Sequence, residues 1–183
     1  MTEETLEAPR GRSLSRTVLI LGPAVAFFGL LVFAVLQKGE APVPGSRAPE
    51  FSGPLLDGEG SLALSDLEGK PVFLNFWWSG CEPCKEEAPL IDEAQRVYGD
   101  EVAFVGINVR DARSDAISFA EENGLDFPHV RDETFEIYDD YALTGQPESF
   151  FIDGEGVVVE HVAGPVSEEQ LDHLLDILVA RSG

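Results

Sequence analysis

The chain has 183 residues, a formal net charge of −22 at pH 7 and 44% hydrophobic residues. This excess of acidic groups argues against a nucleic-acid partner, because binding to a polyanion depends on lysine and arginine neutralising phosphates. The two cysteines, Cys81 and Cys84, are too few for a disulfide-held scaffold, so redox chemistry must pass through this single pair.

The amino-terminal segment has the composition of a membrane anchor. Residues 18–36 are uncharged, and thirteen of these 19 are Val, Leu, Ile or Phe. As a helix they would reach roughly 28 Å, close to the thickness of the hydrocarbon core of a bilayer. A cleaved signal peptide is the alternative, but residues 34–37 lack the A-x-A-like pattern of small residues that is typical of a cleavage site.

Basic residues flank this segment unevenly, with Arg10, Arg12 and Arg16 before it and Lys38 and Arg47 after it. The positive-inside rule then places the amino terminus in the cytoplasm and the rest of the chain outside the cell membrane. We predict a single-pass protein with a cytoplasmic tail (1–17), a transmembrane anchor (18–36), a proline-rich linker (37–48) and one folded domain (49–183).

Beyond the linker, hydrophobic periodicity and turn residues predict an α/β domain. It begins with a β-hairpin at 51–56 and 61–64, followed by a helical turn at 65–68 that is capped by Ser65. The predicted elements that follow are a buried strand at 72–77, a helix at 82–98, a buried strand at 102–109, a helix at 114–123, a helical segment at 134–141, a hairpin at 149–152 and 157–162, and a closing helix at 167–181. The apolar face of the helix at 82–98 is predicted to comprise Ala88, Leu90, Ile91, Ala94 and Val97.

The two cysteines lie at the predicted corner between the first buried strand and the first long helix, with Pro83 shaping the turn. A helix N-terminus presents unpaired N–H groups and a positive dipole end, both of which stabilise a thiolate. Cys81 is therefore predicted to attack a substrate disulfide, and Cys84 to resolve the mixed disulfide. A metal half-site is the alternative, but the three histidines show no ligand spacing and no second cysteine pair exists. We expect no cofactor other than this redox-active pair.

Residues 75–85, NFWWSGCEPCK, resemble the active-site segment of the thioredoxin-like proteins of the TlpA/ResA/CcmG type. The resemblance continues at 45–51, 64–71, 127–128 and 144–153, and so extends from residue 45 to the end. It implies a thioredoxin fold with an N-terminal β-hairpin and a central insertion, in an extracytoplasmic reductase of protein disulfides. Such proteins often act in attaching haem to c-type cytochromes, so apocytochrome c is a candidate substrate and the electron donor is expected to be membrane-bound.

The resemblance also implies a role for Pro147, because the matching proline of the family is cis and packs beside the dithiol. From the residues alone, an ordinary trans loop proline remains the alternative. One position departs from the family, which usually has Trp directly before the first cysteine. This chain has Gly80 there and an extra aromatic residue, Trp78, two positions earlier. We interpret Trp77 and Trp78 as wall and core residues, with ligand contacts as the alternative, and expect the partner-contacting surface to differ.

Three carboxylates, Glu82, Glu86 and Glu87, are close to the dithiol in sequence. Their negative charge opposes the thiolate and favours the disulfide form, which predicts a reductant. On a helix, Glu87 and Cys84 share a face, so Glu87 is predicted to move a proton to or from Cys84. The alternative for Glu87 is a solvated helix glutamate. Glu82 and Pro83 are predicted to tune the pair.

The sequence therefore predicts an extracytoplasmic thiol:disulfide oxidoreductase that reduces protein disulfides. A copper-binding or copper-delivery module is one alternative, but it would be expected to carry a C-x-x-x-C pair with a suitable histidine. A thiol peroxidase is another, but residues 77–81 do not reproduce the P-x-x-x-T-x-x-C pattern of such enzymes.

Overall fold

The computed structural model describes residues 41–181, together with residues 22, 23, 25 and 27–30, which are helical. The predicted cytoplasmic tail and most of the predicted anchor at 18–36 lie outside the described residues. Among the residues that are described, no helix combines the length and the apolar composition needed to cross a bilayer.

Residues 41–181 contain seven strands together with helices, and five of these strands form a central sheet. The strands are β1 (Ser52–Pro54), β2 (Ser61–Ala63), β3 (Val72–Trp77), β4 (Ala103–Val109), β5 (His129–Asp132), β6 (Glu148–Ile152) and β7 (Val158–Ala163). The sheet order is β5-β4-β3-β6-β7, while β1 and β2 form the predicted hairpin. β3 and β4, like β4 and β5, are parallel, whereas β6 is antiparallel to both β3 and β7. The apolar strand β3 therefore lies at the centre, where both faces of the sheet are covered.

The helices of the domain follow the predicted order. They are a short 3₁₀ helix (Leu64–Leu67), α1 (Glu82–Tyr98), α2 (Arg113–Glu122), α3 (Glu136–Asp140) and α4 (Glu168–Arg181). α1 connects the parallel strands β3 and β4, as the strand–helix–strand order predicted. After α2, Gly124 adopts a φ of 69°, a left-handed conformation that glycine reaches without the steric cost of a Cβ.

Alternation along β3 divides the interior into two apolar layers. Phe73 and Trp77 pack with side chains from α1, α2 and α4 on one face. Leu74 and Phe76 pack on the other face with residues such as Tyr141. Each fully buried large apolar side chain contributes roughly 1.5–3 kcal/mol, so the sheet and its two covers stabilise one another.

Strand β5 was not predicted. Its sequence, His129-Val130-Arg131-Asp132, contains a single aliphatic residue and two charged ones, which gives no strand periodicity. Parallel pairing with β4 and burial against the core decide its conformation. The helical segment predicted at 134–141 is limited to α3, at Glu136–Asp140.

Two smaller predictions about helices were wrong. Val97, assigned to the apolar face of α1, is 66% exposed, because that face ends with Ala94. The 3₁₀ helix is capped at Ala63, two residues before the predicted cap Ser65. The Asp66 carboxylate accepts the Ala63 N–H at 2.8 Å, which satisfies a donor that the helix leaves free.

The end of the predicted linker is bonded to the edge of the sheet. Gly45 N–H donates to the Val158 carbonyl at 2.8 Å, and Val158 N–H donates to the Ser46 carbonyl at 2.8 Å. Ala48 N–H donates to the Gly156 carbonyl at 2.9 Å, and the Ala48 side chain is buried. Residues 45–48 are therefore part of the folded structure.

Candidate active site

The two cysteines form a disulfide at the start of α1, directly after the central strand. Cys81 is the N-cap of α1, and its Sγ accepts a hydrogen bond from the Cys84 N–H at 3.2 Å. Pro83 lies in the first turn, where its missing N–H leaves no helical hydrogen bond unmade. Cys81 is 4% exposed and Cys84 is 2% exposed. Exposure does not distinguish the sulfurs, but the helix N-terminus does, because it acts on Cys81.

A single carboxylate holds the turn between β3 and α1. Asp111, just beyond β4, accepts hydrogen bonds from the Ser79 N–H and hydroxyl, both at 2.7 Å, and from Asn108 Nδ2 at 2.7 Å. Within the turn, Cys81 N–H donates to the Trp78 carbonyl at 3.1 Å. The backbone that leads into Cys81 is thus fixed from the neighbouring strand. Asp111 was not predicted from the sequence, since its role depends on the pairing of β3 with β4.

Glu87 lies on α1 three residues beyond Cys84 and is 2% exposed. Asn75 Nδ2 donates to Glu87 Oε1 at 2.9 Å, and Val166 N–H donates to Oε2 at 3.0 Å. Burial raises the pKa of Glu87 from 4.5 to about 7 and outweighs the lowering effect of these two hydrogen bonds. The alternative of a solvated glutamate was therefore wrong. A carboxyl that exchanges protons near neutral pH occupies the same buried helix face as Cys84.

Asn75 on β3 orients this carboxyl. It is 3% exposed, and its Nδ2 also donates to Ser149 Oγ of β6 at 3.0 Å. A buried amide needs such partners, because burying an unpaired polar group costs free energy. Asn75 was not among the residues predicted for the site. The available signal was its place as the one polar residue in the apolar run 72–77.

Pro147 immediately precedes β6, and the Gln146–Pro147 peptide bond is cis, which confirms the implication of the resemblance. Glu148 of the antiparallel β6 is opposite Phe76, near the end of β3 that leads to Cys81. Pro147 therefore lies at the same end of the sheet as the disulfide. Its side chain is buried, and its carbonyl accepts a hydrogen bond from the Gly164 N–H at 2.9 Å.

Glu148 is a second buried carboxylate near the site, and it was not predicted from the sequence. Its Oε1 accepts hydrogen bonds from the Thr144 N–H at 2.7 Å, the Thr144 hydroxyl at 2.9 Å and the Gly145 N–H at 2.9 Å. Its Oε2 lies 2.7 Å from Nε2 of His161 on β7. Glu148 therefore orders the loop that leads into Pro147.

The other carboxylates predicted to act on the dithiol lie at the surface. Glu82 and Glu86 are exposed, and Glu82 forms an ion pair with Lys85 at 3.5 Å. Exposed pairs of this kind contribute about 0–1 kcal/mol, and salt screens their longer-range effects. Their influence on the sulfurs is consequently weaker than that of the buried Glu87.

The two tryptophans beside the turn differ in their surroundings. Trp77 is 1% exposed, and its Nε1–H donates to His129 Nδ1 at 3.2 Å. His129 Nε2 lies 3.1 Å from the Leu125 carbonyl, and burial lowers the pKa of His129 from 6.5 to about 4. The neutral imidazole therefore accepts from Trp77 and donates to Leu125. Trp78 is half-buried and packs against the edge of the same apolar layer.

Comparison with known proteins agrees with this geometry. The AhpC/TSA family model matches residues 44–161. The chain is 34% identical over 169 residues to the thiol-disulfide oxidoreductase ResA of Bacillus subtilis (strain 168), covering 91% of this chain and 93% of that protein.

Two solved structures extend the comparison to the fold. A thiol:disulfide interchange protein of the thioredoxin family from Chlorobium tepidum TLS superposes with a TM-score of 0.65 at 29% identity, over 77% of this chain and 99% of that one. A secreted Mycobacterium tuberculosis disulfide oxidoreductase, homologous to E. coli DsbE, gives a TM-score of 0.65 at 27% identity, over 70% and 96%. The chain therefore belongs to the AhpC/TSA family and, within the thioredoxin fold, to the TlpA/ResA/CcmG-like thiol-disulfide oxidoreductases.

Proposed function

We propose that this chain is an extracytoplasmic dithiol reductase of protein disulfides, held in the cell membrane by residues 18–36 with its amino terminus in the cytoplasm. The observation that carries the proposal is the position of Cys81 Sγ at the N-terminus of α1, within hydrogen-bond distance of the Cys84 N–H. The external location is supported by the uneven flanking charges and by the relative described as secreted.

In the reduced enzyme, the Cys81 thiolate attacks one sulfur of the substrate disulfide. The substrate S–S bond breaks, its leaving sulfur takes up a proton, and a mixed disulfide with Cys81 forms. Cys84 then loses its proton and attacks Cys81 Sγ, which releases the second substrate thiol. Two electrons pass from the enzyme dithiol to the substrate. The Cys81–Cys84 disulfide that results is the form present in the structure.

Glu87 is the group suited to accept the proton that Cys84 loses. It lies on the same face of α1, and with a pKa of about 7 it can accept a proton and release it near neutral pH. Asn75 and Val166 keep the carboxyl in place through hydrogen bonds to its two oxygens. We assign Glu87 to the deprotonation of Cys84 during resolution.

Pro147 and its loop form the docking side of the site. The cis peptide bond precedes β6 at the end of the sheet where Cys81 lies. Backbone groups beside Pro147 would pair with an extended substrate segment. The substrates are protein disulfides, with apocytochrome c as the candidate, and a membrane-bound electron donor returns the two electrons to the enzyme.

An insulin-reduction assay tests the activity directly. With dithiothreitol as the source of electrons, the wild-type chain should accelerate reduction of the insulin disulfides. The Cys81→Ser variant should not exceed the rate of dithiothreitol alone. Equal rates for the wild type and this variant would contradict the proposed reductase.

Trapping in cells tests the separate roles of the sulfurs and identifies substrates. A Cys84→Ser protein should accumulate mixed disulfides, because the sulfur that would release the substrate is missing, whereas Cys81→Ser should trap far less. Recovery of apocytochromes c would support the cytochrome substrate. Equal trapping by the two variants would refute the roles assigned to the two sulfurs. Trapping of unrelated secreted proteins alone would reject only apocytochrome c as the substrate.

A further inference from the structure

Trp78 folds back over the residue that precedes Cys81. A Cβ placed on Gly80 would lie 2.4 Å from Cζ3 and 2.6 Å from Cη2 of the Trp78 ring. Both distances are far below van der Waals contact. The ring can therefore occupy this position only because residue 80 has no side chain. Gly80 and Trp78 form one structural unit, in which the glycine makes room for the indole.

Packing and the surrounding backbone also hold the indole in place. Trp78 is half-buried and packs against the apolar layer that contains Cys81 and Cys84. The backbone around it is fixed, since its carbonyl accepts from the Cys81 N–H and Ser79 is bonded twice to Asp111. The indole is thus in a defined, half-exposed place against the apolar layer that contains the disulfide.

The location of this surface decides what it can contact. Cys81 and Cys84 are almost wholly buried, so the chain on either side of a protein disulfide must lie against the adjoining surface when that disulfide reaches Cys81. The indole supplies a rigid apolar contact there. Glu82 and Glu86, exposed in the first turns of α1, disfavour acidic segments at the same place.

We propose that Trp78 determines the substrate specificity of this site. Its indole, in the position that Gly80 permits, binds the polypeptide beside the substrate cysteine and favours segments with an apolar side chain next to that cysteine. The inference rests on the proposed reductase function. It assigns the recognition of the flanking chain to Trp78, a residue that takes no part in proton or electron transfer.

The test uses the pre-reduced full-length chain in single turnovers with three disulfides. Two are disulfide-linked peptides that differ only by Leu or Ser beside the cysteine, and the third is hydroxyethyl disulfide, which has no flanking chain. Trp78→Ala should slow the reaction with the Leu peptide about tenfold, as expected for the loss of one apolar contact. It should change the hydroxyethyl disulfide rate by less than about twofold, and Trp78→Phe should restore part of the lost rate.

Gly80→Ala provides an independent test, because one added methyl group displaces the ring. It should reproduce the selective defect of Trp78→Ala and shift tryptophan emission to the red as the indole enters water. In a Trp78→Ala background, Gly80→Ala should have no further effect, since the two changes remove the same contact.

Several outcomes would overturn the proposal. Trp78→Ala could slow all three disulfides equally or none of them, or the effects of the two substitutions could multiply in the double variant. A wild-type protein that reduces none of the three disulfides would instead overturn the proposed function, and this inference with it.

Discussion

Glu87 illustrates how one buried residue acquires chemistry near neutral pH. Removal from water disfavours its carboxylate, whereas the hydrogen bonds from Asn75 and Val166 favour it, and the effect of burial is the larger. Glu86, the preceding residue on α1, is exposed to solvent. Two adjacent glutamates of α1 therefore differ in their surroundings: Glu86 lies at the surface, whereas Glu87 is buried and has a pKa of about 7.

A Glu87→Gln variant should lose a pH-dependent component of stability. Because the pKa of Glu87 is raised in the folded state, the native protein binds the proton more tightly than the unfolded chain. The resulting stabilisation is complete below about pH 4.5 and is lost as the pH rises through about 7. The shift corresponds to about 3 kcal/mol. Urea unfolding of the oxidised protein should show the wild type losing this amount relative to the variant between about pH 4.5 and pH 8.

The matched control for this experiment is Glu86→Gln, which removes an exposed carboxylate from the same turn of α1 and should leave the pH profile parallel to that of the wild type. The pH profile of each variant must be compared with that of the wild type, because other groups also contribute to the pH dependence of stability. His129, with a pKa lowered to about 4, contributes the opposite slope by destabilising the fold as the pH falls below its unfolded value. Parallel profiles for Glu87→Gln and the wild type would show that the Glu87 proton is held no more tightly in the folded state.

At the scale of secondary-structure elements, the conformation of the β3–α1 corner depends on the neighbouring strand β4 as much as on its own sequence. The parallel register places Trp77 opposite Asn108, so that Asp111 just beyond β4 reaches the turn that follows β3. Pairing with β4 also decides the conformation of β5, whose sequence alone has little strand character. Strand pairing thus positions the loop that holds Cys81.

Replacing Asp111 should loosen this corner. Asp111→Ala leaves the Ser79 N–H, the Ser79 hydroxyl and the Asn108 amide without their shared acceptor, which should lower the free energy of unfolding by about 2 kcal/mol. Amide hydrogen exchange at Ser79 and Cys81 should accelerate more than exchange in the centre of the sheet. Asp100→Ala, at an exposed position, is the control and should change neither measurement. Unchanged exchange in Asp111→Ala would mean that the turn is held by its own backbone hydrogen bonds.

The whole folded unit includes more of the chain than its hydrophobic periodicity suggests. Residues Gly39–Gly183 form one compact unit. Within it, residues 45–48 extend the sheet through three backbone hydrogen bonds to Gly156 and Val158. These residues lie before the first predicted strand and have no periodic apolar pattern of their own.

Two fragments test this boundary. Residues 45–183 should fold without the anchor and unfold in one cooperative transition. Residues 49–183 should be less stable by about 3 kcal/mol, because the three backbone hydrogen bonds contribute about 1 kcal/mol each. Thermal and urea unfolding of the two fragments would measure the difference. Equal stabilities would contradict a structural role for residues 45–48, and aggregation of the longer fragment without a cooperative transition would contradict the boundary itself.

Local sequence patterns were sufficient to predict much of the secondary structure and part of the site. Apolar runs, turn residues and cysteine spacing predicted six of the seven strands found in the described part of the chain, and the order of its helices. They also placed the dithiol at the N-terminus of α1 and put Glu87 on the same helix face as Cys84. These features are local, because helix and strand periodicity and helix capping involve residues only a few positions apart. The cis state of Pro147 came from the resemblance to a family.

Only the tertiary structure decided how the site is supported. Hydrogen bonds join Ser79 to Asp111 and Glu87 to Val166, pairs separated by 32 and 79 residues in the chain. The burial that raises the pKa of Glu87 likewise requires β3, α1 and the segment before α4 to come together. Position along the chain does not reveal which distant polar groups will meet. Their meeting follows from strand pairing and from packing of the two apolar layers, because each buried polar group needs a partner that the fold brings to it.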